Sequence, residues 1–317
     1  MEKTLEREKP ATGERTARRP VPLPTLADVG RGCLEVSRAV LRALASGSTN
    51  DPDIPFIPPA SLAEKAGLLA GIAIAPIGAL GSWLRRARVL HPEGACYSAK
   101  VTPLVREGPL AWLASRLEGD ALVRLSSGVW RGRELPDILG CAIRFVSSPD
   151  ATGEAHPGDQ DLLLETFPRI WLSVLAPLWT DTSDFLKNIY FGAGVFDVGS
   201  GERVRFRLVP VEKGAEGRDR LARIDGAVHE RTAAFRLEAQ RLTGRRRWTP
   251  VARIGLDERV PDSPRLEFSP FRAGRGIFPR GFLQFTRLAA YPASQRARPA
   301  RARPVESEKV ERATRAA

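Results

Sequence analysis

Cysteine is scarce in this chain of 317 residues. Cys33, Cys96 and Cys141 lie far apart and form no CxxC pair, which excludes a disulfide framework and a cysteine zinc site. A reducing compartment is therefore the default, and the cytoplasm is the expected location. The chain also lacks an apolar opening run. MEKTLEREKP alternates charges where a secretory signal needs an apolar core, so export by that route is not expected. A one-sided charge balance is missing as well: 49 Lys plus Arg stand against 37 Asp plus Glu, a net +12, with no long Lys/Arg run. Without a zinc-finger or RNP-type motif either, nucleic-acid binding is not expected. There is no GxxxxGK(S/T), no HExxH, no GxSxG elbow and no internal repeat. Nothing in the chain argues for a nicotinamide site.

What is present fits a chain that buries a core, with 43% hydrophobic and 27% charged residues. Its length allows one large domain with tails or two small domains. Residues 1–24 are charged and proline-containing and read as a flexible tail. Near-helical spacing of Leu34, Val36, Val40, Leu41 and Leu44 predicts a short helix over 32–45. DPDIPFIPP (51–59) reads as an extended linker, because each proline removes a donor and restricts its predecessor.

From Ala66 to Leu84 the chain runs 19 residues without a charge, between Lys65 and the cluster Arg85, Arg86 and Arg88. That length just reaches the roughly 20 residues of a bilayer span. Because four glycines and Pro76 interrupt it, the segment is expected first as a buried or surface-docked hairpin, then as a peripheral membrane contact, and last as a span.

From residue 95 the pattern changes to short alternating runs. CYSAKVTPLV, ALVRLSSGVW, CAIRFVSS, RVRFRLVPV, AAFRLEAQRL and RLEFSPF all read as strands with one face inward. PRIWLSVLAPLWTDTSDFLKNIY (168–190) is more helix-like. FGAGVFDVGSG leads into a strand-like run, so its glycines predict a hairpin turn and not a nucleotide loop. The order fits an α+β chain, an antiparallel barrel or sandwich with inserted helices.

Two stretches gain meaning together: ARVLHPEGACYSAKVT (87–102) and FTRLAAYPASQRAR (285–298). The first holds Arg88, two apolar residues and His91; the second holds Arg287, Tyr291, Pro292, Arg296 and Arg298. They resemble the two ends of the heme catalase core, with spacing kept inside each motif. Intervening pieces follow in order. ALVRLSSGVW carries Arg124 and Ser126 of an Arg-apolar-Ser strand, and GCAIRF is similar to a Gly-aromatic-Ala-Val-Lys-Phe run. DLLLETFP (161–168) is similar to an Asp-Leu-x-x-Asn-Asn-Thr-Pro turn, VFDVGSGERVRFRLVP (195–210) to the next hairpin, and RLEFSPFRAGRGIFPRGFL (265–283) to the segment before the tyrosine helix. The resemblance covers roughly residues 86–300, and colinear order strengthens what either motif alone carries weakly.

This resemblance implies a catalase-like antiparallel β-barrel with inserted and flanking helices, a domain over 56–300 between tails at 1–55 and 301–317, and heme b as cofactor. Tyr291 would be the axial iron ligand, held ionised by Arg287 one helical turn away. His91 would be the base that moves the peroxide proton. Ser126 would hold its ring, although Ser127 has equal chemistry and strand parity decides between them. Arg88, Arg124 and Arg298 would pair with the heme propionates, for which a planar fork is well matched. Taken singly, each residue has a plainer reading: a half-buried tyrosine, a loop histidine before Pro-Glu-Gly, ordinary solvated arginines.

The pattern breaks at Glu165, where the family carries an asparagine. An ionised carboxylate accepts only, so efficient hydrogen peroxide dismutation is not expected; a protonated Glu165, or Thr166 beside it, would still donate. Ile170 and Trp171 stand in place of the family's distal aromatic pair and imply an apolar pocket of different shape. The expectation is a heme peroxidase or hydroperoxide-converting enzyme acting on organic or lipid hydroperoxides, with weak catalase activity. Membrane contact through 66–84 and self-association into a homo-oligomer are its further expected partners. The competing class is a non-catalytic heme-binding or membrane-associated protein, and a third is a hydrolase using the pocket without heme.

Overall fold

The computed structural model describes residues 24–49, 51, 53–86, 90–147, 155–212, 214–261 and 266–298, all within one compact unit. Arg88 lies outside the described residues, as do residues 1–23 of the first expected tail and all of the second, 301–317.

Two helices come first. Helix α1 (Leu26–Ser46) starts at Thr25, whose hydroxyl accepts from the Asp28 N–H while the Asp28 carboxylate accepts from the Thr25 N–H, and it ends at Gly47 with φ 83°. Val29, Cys33, Val36, Val40 and Ala43 form its buried stripe. This helix is longer than the 32–45 expected from spacing. It packs on the helices α2 (Leu62–Arg85) and α5 (Phe282–Arg296), so part of the expected 1–55 tail belongs to the folded body. The correction comes from its capping box and apolar stripe, which a composition average hides.

Residues 66–84 form no hairpin. They lie inside the single helix α2, and the glycines read as turn signals have a packing role instead. Gly67, Gly71, Ala75, Ala79 and Ser82 face α5. A Cβ on Gly67 or Gly71 would overlap the carbonyl oxygens of Phe282 or Thr286, so the two backbones touch only because both positions lack a side chain. Glu64 fixes the register: its carboxylate accepts the Ala60 N–H at 2.6 Å and the Gly281 N–H at 2.9 Å, tying together the starts of α2 and α5.

Ten antiparallel strands make up the sheet among the described residues: β1 (Glu93–Pro103), β2 (Gly119–Ser127), β3 (Leu139–Phe145), β4 (Gln160–Glu165), β5 (Tyr190–Gly192), β6 (Val195–Val198), β7 (Arg203–Pro210), β8 (Ala234–Arg241), β9 (Trp248–Val260) and β10 (Ile277–Arg280). Eight of them close a ring in the order β1, β2, β3, β4, β5, β7, β8, β9, while β6 and β10 extend from β7. The fold is thus an α+β antiparallel barrel with flanking helices, which settles barrel over sandwich. Period-2 alternation sends Val123, Leu125, Cys141, Ile143, Leu162 and Leu164 into the barrel core. Apolar residues of α3 (Ala111–Leu117) and α4 (Arg220–His229) join the same core.

Two expectations fail locally. Residues 168–190 hold three single 3-10 turns, at 170–172, 176–178 and 185–187, before β5. Pro177 and side-chain bonds to the backbone compete with a helix there: the Asp184 carboxylate accepts from the Leu186 N–H, and Asn188 bonds both Asp181 and Asp184. RLEFSPF forms no strand over its described part. Side chains take its backbone groups, with Arg144 donating to the Glu267 carbonyl and Asp161 accepting the Ser269 N–H at 2.8 Å. The hairpin turn at 199–202 is as expected, joining β6 to β7 with Gly201 at φ 81°.

Close helix contact has a testable consequence. Gly71→Ala should cost about 1–3 kcal/mol, because the new methyl meets backbone that cannot yield. Gly30→Ala, on the exposed side of α1 with nothing within 4 Å of the added Cβ, should stabilise by up to about 1 kcal/mol. Urea unfolding of both variants checks the contrast, and a neutral Gly71→Ala would contradict the close approach.

Candidate functional site

Strand register assembles one wall of the site. Gly94 of β1 pairs with Ser126 of β2, Ser126 with Gly140 of β3, and Gly140 with Glu165 of β4, so the four lie in one row on the barrel's outward face. The row alternates glycine with a polar side chain. His91, just before β1, lays its ring over Gly140, where a Cβ would come 2.7 Å from Nδ1. Its backbone sits in the left-handed region at φ 60°, held by an N–H donated to the Gly128 carbonyl at 2.9 Å.

Parity selects Ser126 over Ser127. Ser126 Oγ lies 3.0 Å from His91 Nδ1 and 3.3 Å from the Gly140 carbonyl, whereas Ser127 donates to the Trp130 carbonyl. The hydroxyl can donate to that carbonyl while accepting from Nδ1–H, the tautomer that leaves the His91 lone pair on Nε2. Glu165 Oε1 is 3.1 Å from Nε2, with the two side chains 16% and 15% exposed. That is ion-pair distance, yet off the direction of a hydrogen bond. Nε2 and Glu165 Oε2 both remain buried without a hydrogen-bond partner. Glu165 therefore points into the site and not into solvent. Thr166 does not line it: its hydroxyl accepts from the Leu139 N–H at 3.0 Å and from Thr180 at 2.9 Å.

Helix α5 supplies the facing wall. Arg287 Nη2 donates to Tyr291 Oη at 2.6 Å, its Nη1 to Gln284 at 3.1 Å, and its guanidinium carbon lies 4.8 Å from the Tyr291 ring centre. A spacing of four puts both on one helix face. Tyr291, His91, Ser126, Gly140 and Glu165 all border one cavity of about 210 Å³, with Leu90, Leu163 and Phe268 among its apolar boundaries and Gly78, Ala142, Ala290 and Ser294 as small ones.

Arg124 and Arg298 also border the cavity. Arg124 is buried beside Gly94, where a Cβ would lie 2.9 Å from its guanidinium carbon, and it donates to the His91 carbonyl at 3.3 Å. Arg298 donates to Glu267 at 3.3 Å, a carboxylate on the cavity border that the strand reading of 265–271 concealed. Two glycine roles, at Gly94 and Gly140, went unread too, although Gly140 stands inside the GCAIRF run; only register shows what lies over them. Ile170 and Trp171 were expected to shape the pocket. They are 42% and 67% exposed and are not among the residues bordering it, because the chain leaves the barrel wall after Thr166.

No family model matches this sequence, and no curated protein matches it. Among solved structures it is similar to a fungal catalase at 13% identity and a TM-score of 0.46, over 69% of this chain and 61% of that one. The chain thus spans less than two thirds of that protein's length. The chemistry has to come from the residues themselves.

What they can do is limited. Burial, followed by the nearby Glu165 carboxylate, pushes the Cys141 thiol up, so this cavity residue is no thiolate at neutral pH. Among the described residues no group of three His, Cys, Asp or Glu converges on one point as a metal site. A phenol with a guanidinium on its oxygen faces, across a mostly apolar gap, an imidazole and a carboxylate with buried polar atoms left unpaired.

The three tyrosines can be told apart. Burial and the Asp225 acceptor at 2.8 Å hold the Tyr97 phenol far above its ordinary 10, and burial raises the Tyr190 phenol likewise. Both stay protonated in the fold while the unfolded chain loses their protons above about pH 10, so stability should fall as pH rises past that point. In an alkaline titration of tyrosinate absorbance, these two should stay silent until unfolding, and Tyr97→Phe should leave the pre-unfolding amplitude unchanged.

Proposed function

We propose that the cavity binds heme b through Tyr291 and that the protein is a heme peroxidase or hydroperoxide-converting enzyme acting on organic or lipid hydroperoxides, with weak catalase activity. The observation that carries this reading is the arginine-held phenol facing a serine-held imidazole across one cavity. When bound, the heme supplies a redox-active iron able to cleave an O–O bond. Arg287 favours the ionised phenol that ligation needs. Arg124 and Arg298, which border the cavity, would pair with propionates, with Arg298 exchanging or sharing Glu267. His91 Nε2 takes the proton from the hydroperoxide and returns it to the leaving oxygen, while Ser126 keeps the lone pair on that nitrogen. Glu165, 3.1 Å away, is a second proton station in place of an amide. It cannot donate to peroxide while ionised, which is why hydrogen peroxide dismutation is expected to be weak. The apolar boundaries Leu90, Leu163 and Phe268 suit an organic hydroperoxide.

A second reading follows from the same carboxylate. Because Glu165 occupies the approach to Nε2, a heme carrier without turnover also fits the geometry. Hemin reconstitution tests both. The enzyme reading expects a strong heme band with a high-spin, tyrosinate-like ferric spectrum that collapses in Tyr291→Phe, and peroxidase turnover that falls about 10²–10⁴-fold in His91→Gln with the heme band kept. A protein that stays colourless with hemin overturns both readings; one that binds heme yet turns over no hydroperoxide leaves the carrier.

Glu165→Asn makes the sharper prediction. It removes the carboxylate from Nε2 and restores an amide donor, so hydrogen peroxide dismutation should rise by about tenfold or more while heme binding is unchanged. No rise would mean that Glu165 is not what limits this chemistry.

A further inference from the structure

Helix α2 has two faces of unlike use. Its small residues are spent on α5, and most of its large apolar residues, Leu68 excepted, point away. Leu62, Leu69, Ile77 and Leu84, spaced by seven or eight residues, are 83%, 56%, 73% and 65% exposed, and Ile74 and Leu80 flank them. An ordinary surface helix carries polar residues there. The only carboxylate of α2, Glu64, is buried, and the exposed charges at its ends are Lys65, Arg85 and Arg86. Neighbouring α1 exposes Leu34, Arg38, Leu41 and Arg42, together with Glu35, which pairs with Arg296 of α5.

We propose that this outward face of α2 docks the protein on an anionic lipid surface, with the helix lying in the plane of the interface. Charge decides the occupant. A second copy of the same face would set Lys65, Arg85 and Arg86 against their own kind with no exposed carboxylate on α2 to answer them, whereas anionic headgroups complement them. Packing decides the orientation. Although α2 is long and apolar enough to cross a bilayer, crossing would strip Gly67 and Gly71 from α5 and break the Ser82–Ser294 bond of 2.6 Å and the Trp83 bond to the Pro24 carbonyl of 2.7 Å. A helix held along one side and apolar on the other rests on the membrane. Gly78 borders the cavity from the α5-facing side of this same helix, so the proposed docking face and the cavity lie on opposite sides of α2. The proposal stands whether or not heme binds, because its readout is vesicle binding.

The experiment is flotation of the full chain with vesicles of phosphatidylcholine and phosphatidylglycerol, and with phosphatidylcholine alone. The full chain should float with the anionic vesicles and less so as salt rises. The double variant Ile77→Gln with Leu84→Gln, both exposed, should keep its melting temperature and lose about tenfold in partitioning. A chain that stays at the bottom of the gradient overturns the proposal. So does a variant that floats equally well, since the basic ends would then suffice. Concentration-dependent self-association that the double variant abolishes, without vesicle binding, would assign the face to a second copy instead.

Discussion

Helix α5 is held from one side by a row of small residues and faces the barrel with the other, and the cavity exists because it is held this closely. Gly67 and Gly71 let α2 seat directly on its backbone, while Glu64 ties the two helix starts together. That contact leaves α5 no freedom to rotate, which matters because its other side presents Tyr291. A phenol aimed at a fixed point has to be backed by something fixed, and here the backing is a second helix and not a loop. Arg287 completes the arrangement from within α5, so the phenol and its cation move as one body.

The opposite wall obeys a different constraint. Antiparallel pairing puts Gly94, Ser126, Gly140 and Glu165 in a single row, and two of the four must be glycine because imidazole and guanidinium occupy the space their side chains would take. His91 is thereby pinned by packing below its ring, by a hydroxyl on one nitrogen and by a carboxylate near the other. The same row places the Glu165 carboxylate 3.1 Å from His91 Nε2, the ring nitrogen without a hydrogen bond, in a place with little water to screen its charge.

How much of this was legible depended on the range of the signal. Period-2 alternation marked β1, β2, β3, β7 and β8, since one buried face is enough to write it into the residues. The thirteen-residue β9 escaped, because WTPVARIGLDERV carries its charges on both faces near its end. Motif spacing brought His91, Arg124, Ser126, Glu165, Arg298 and Tyr291 to one cavity and left Arg287 directly behind the phenol. What could not be read was anything depending on register or on distant pairing. The choice of Ser126 over Ser127, the glycines under the ring, and Glu267 against Arg298 are set by which strand or loop lies alongside, and no local pattern encodes that.

Segment 66–84 misled for a related reason. Its glycines and proline are turn signals when read locally, but four of its six buried positions are glycine or alanine for the sake of one neighbouring helix. Spending small residues inward places the large apolar ones outward, so the same composition that secures α5 also creates the exposed apolar face. The two properties are therefore coupled. Replacing the outward leucines and isoleucine with polar residues would leave the α2–α5 contact intact, since that contact uses none of them. Their presence is not explained by the fold, which is the physical ground for assigning them to something outside it.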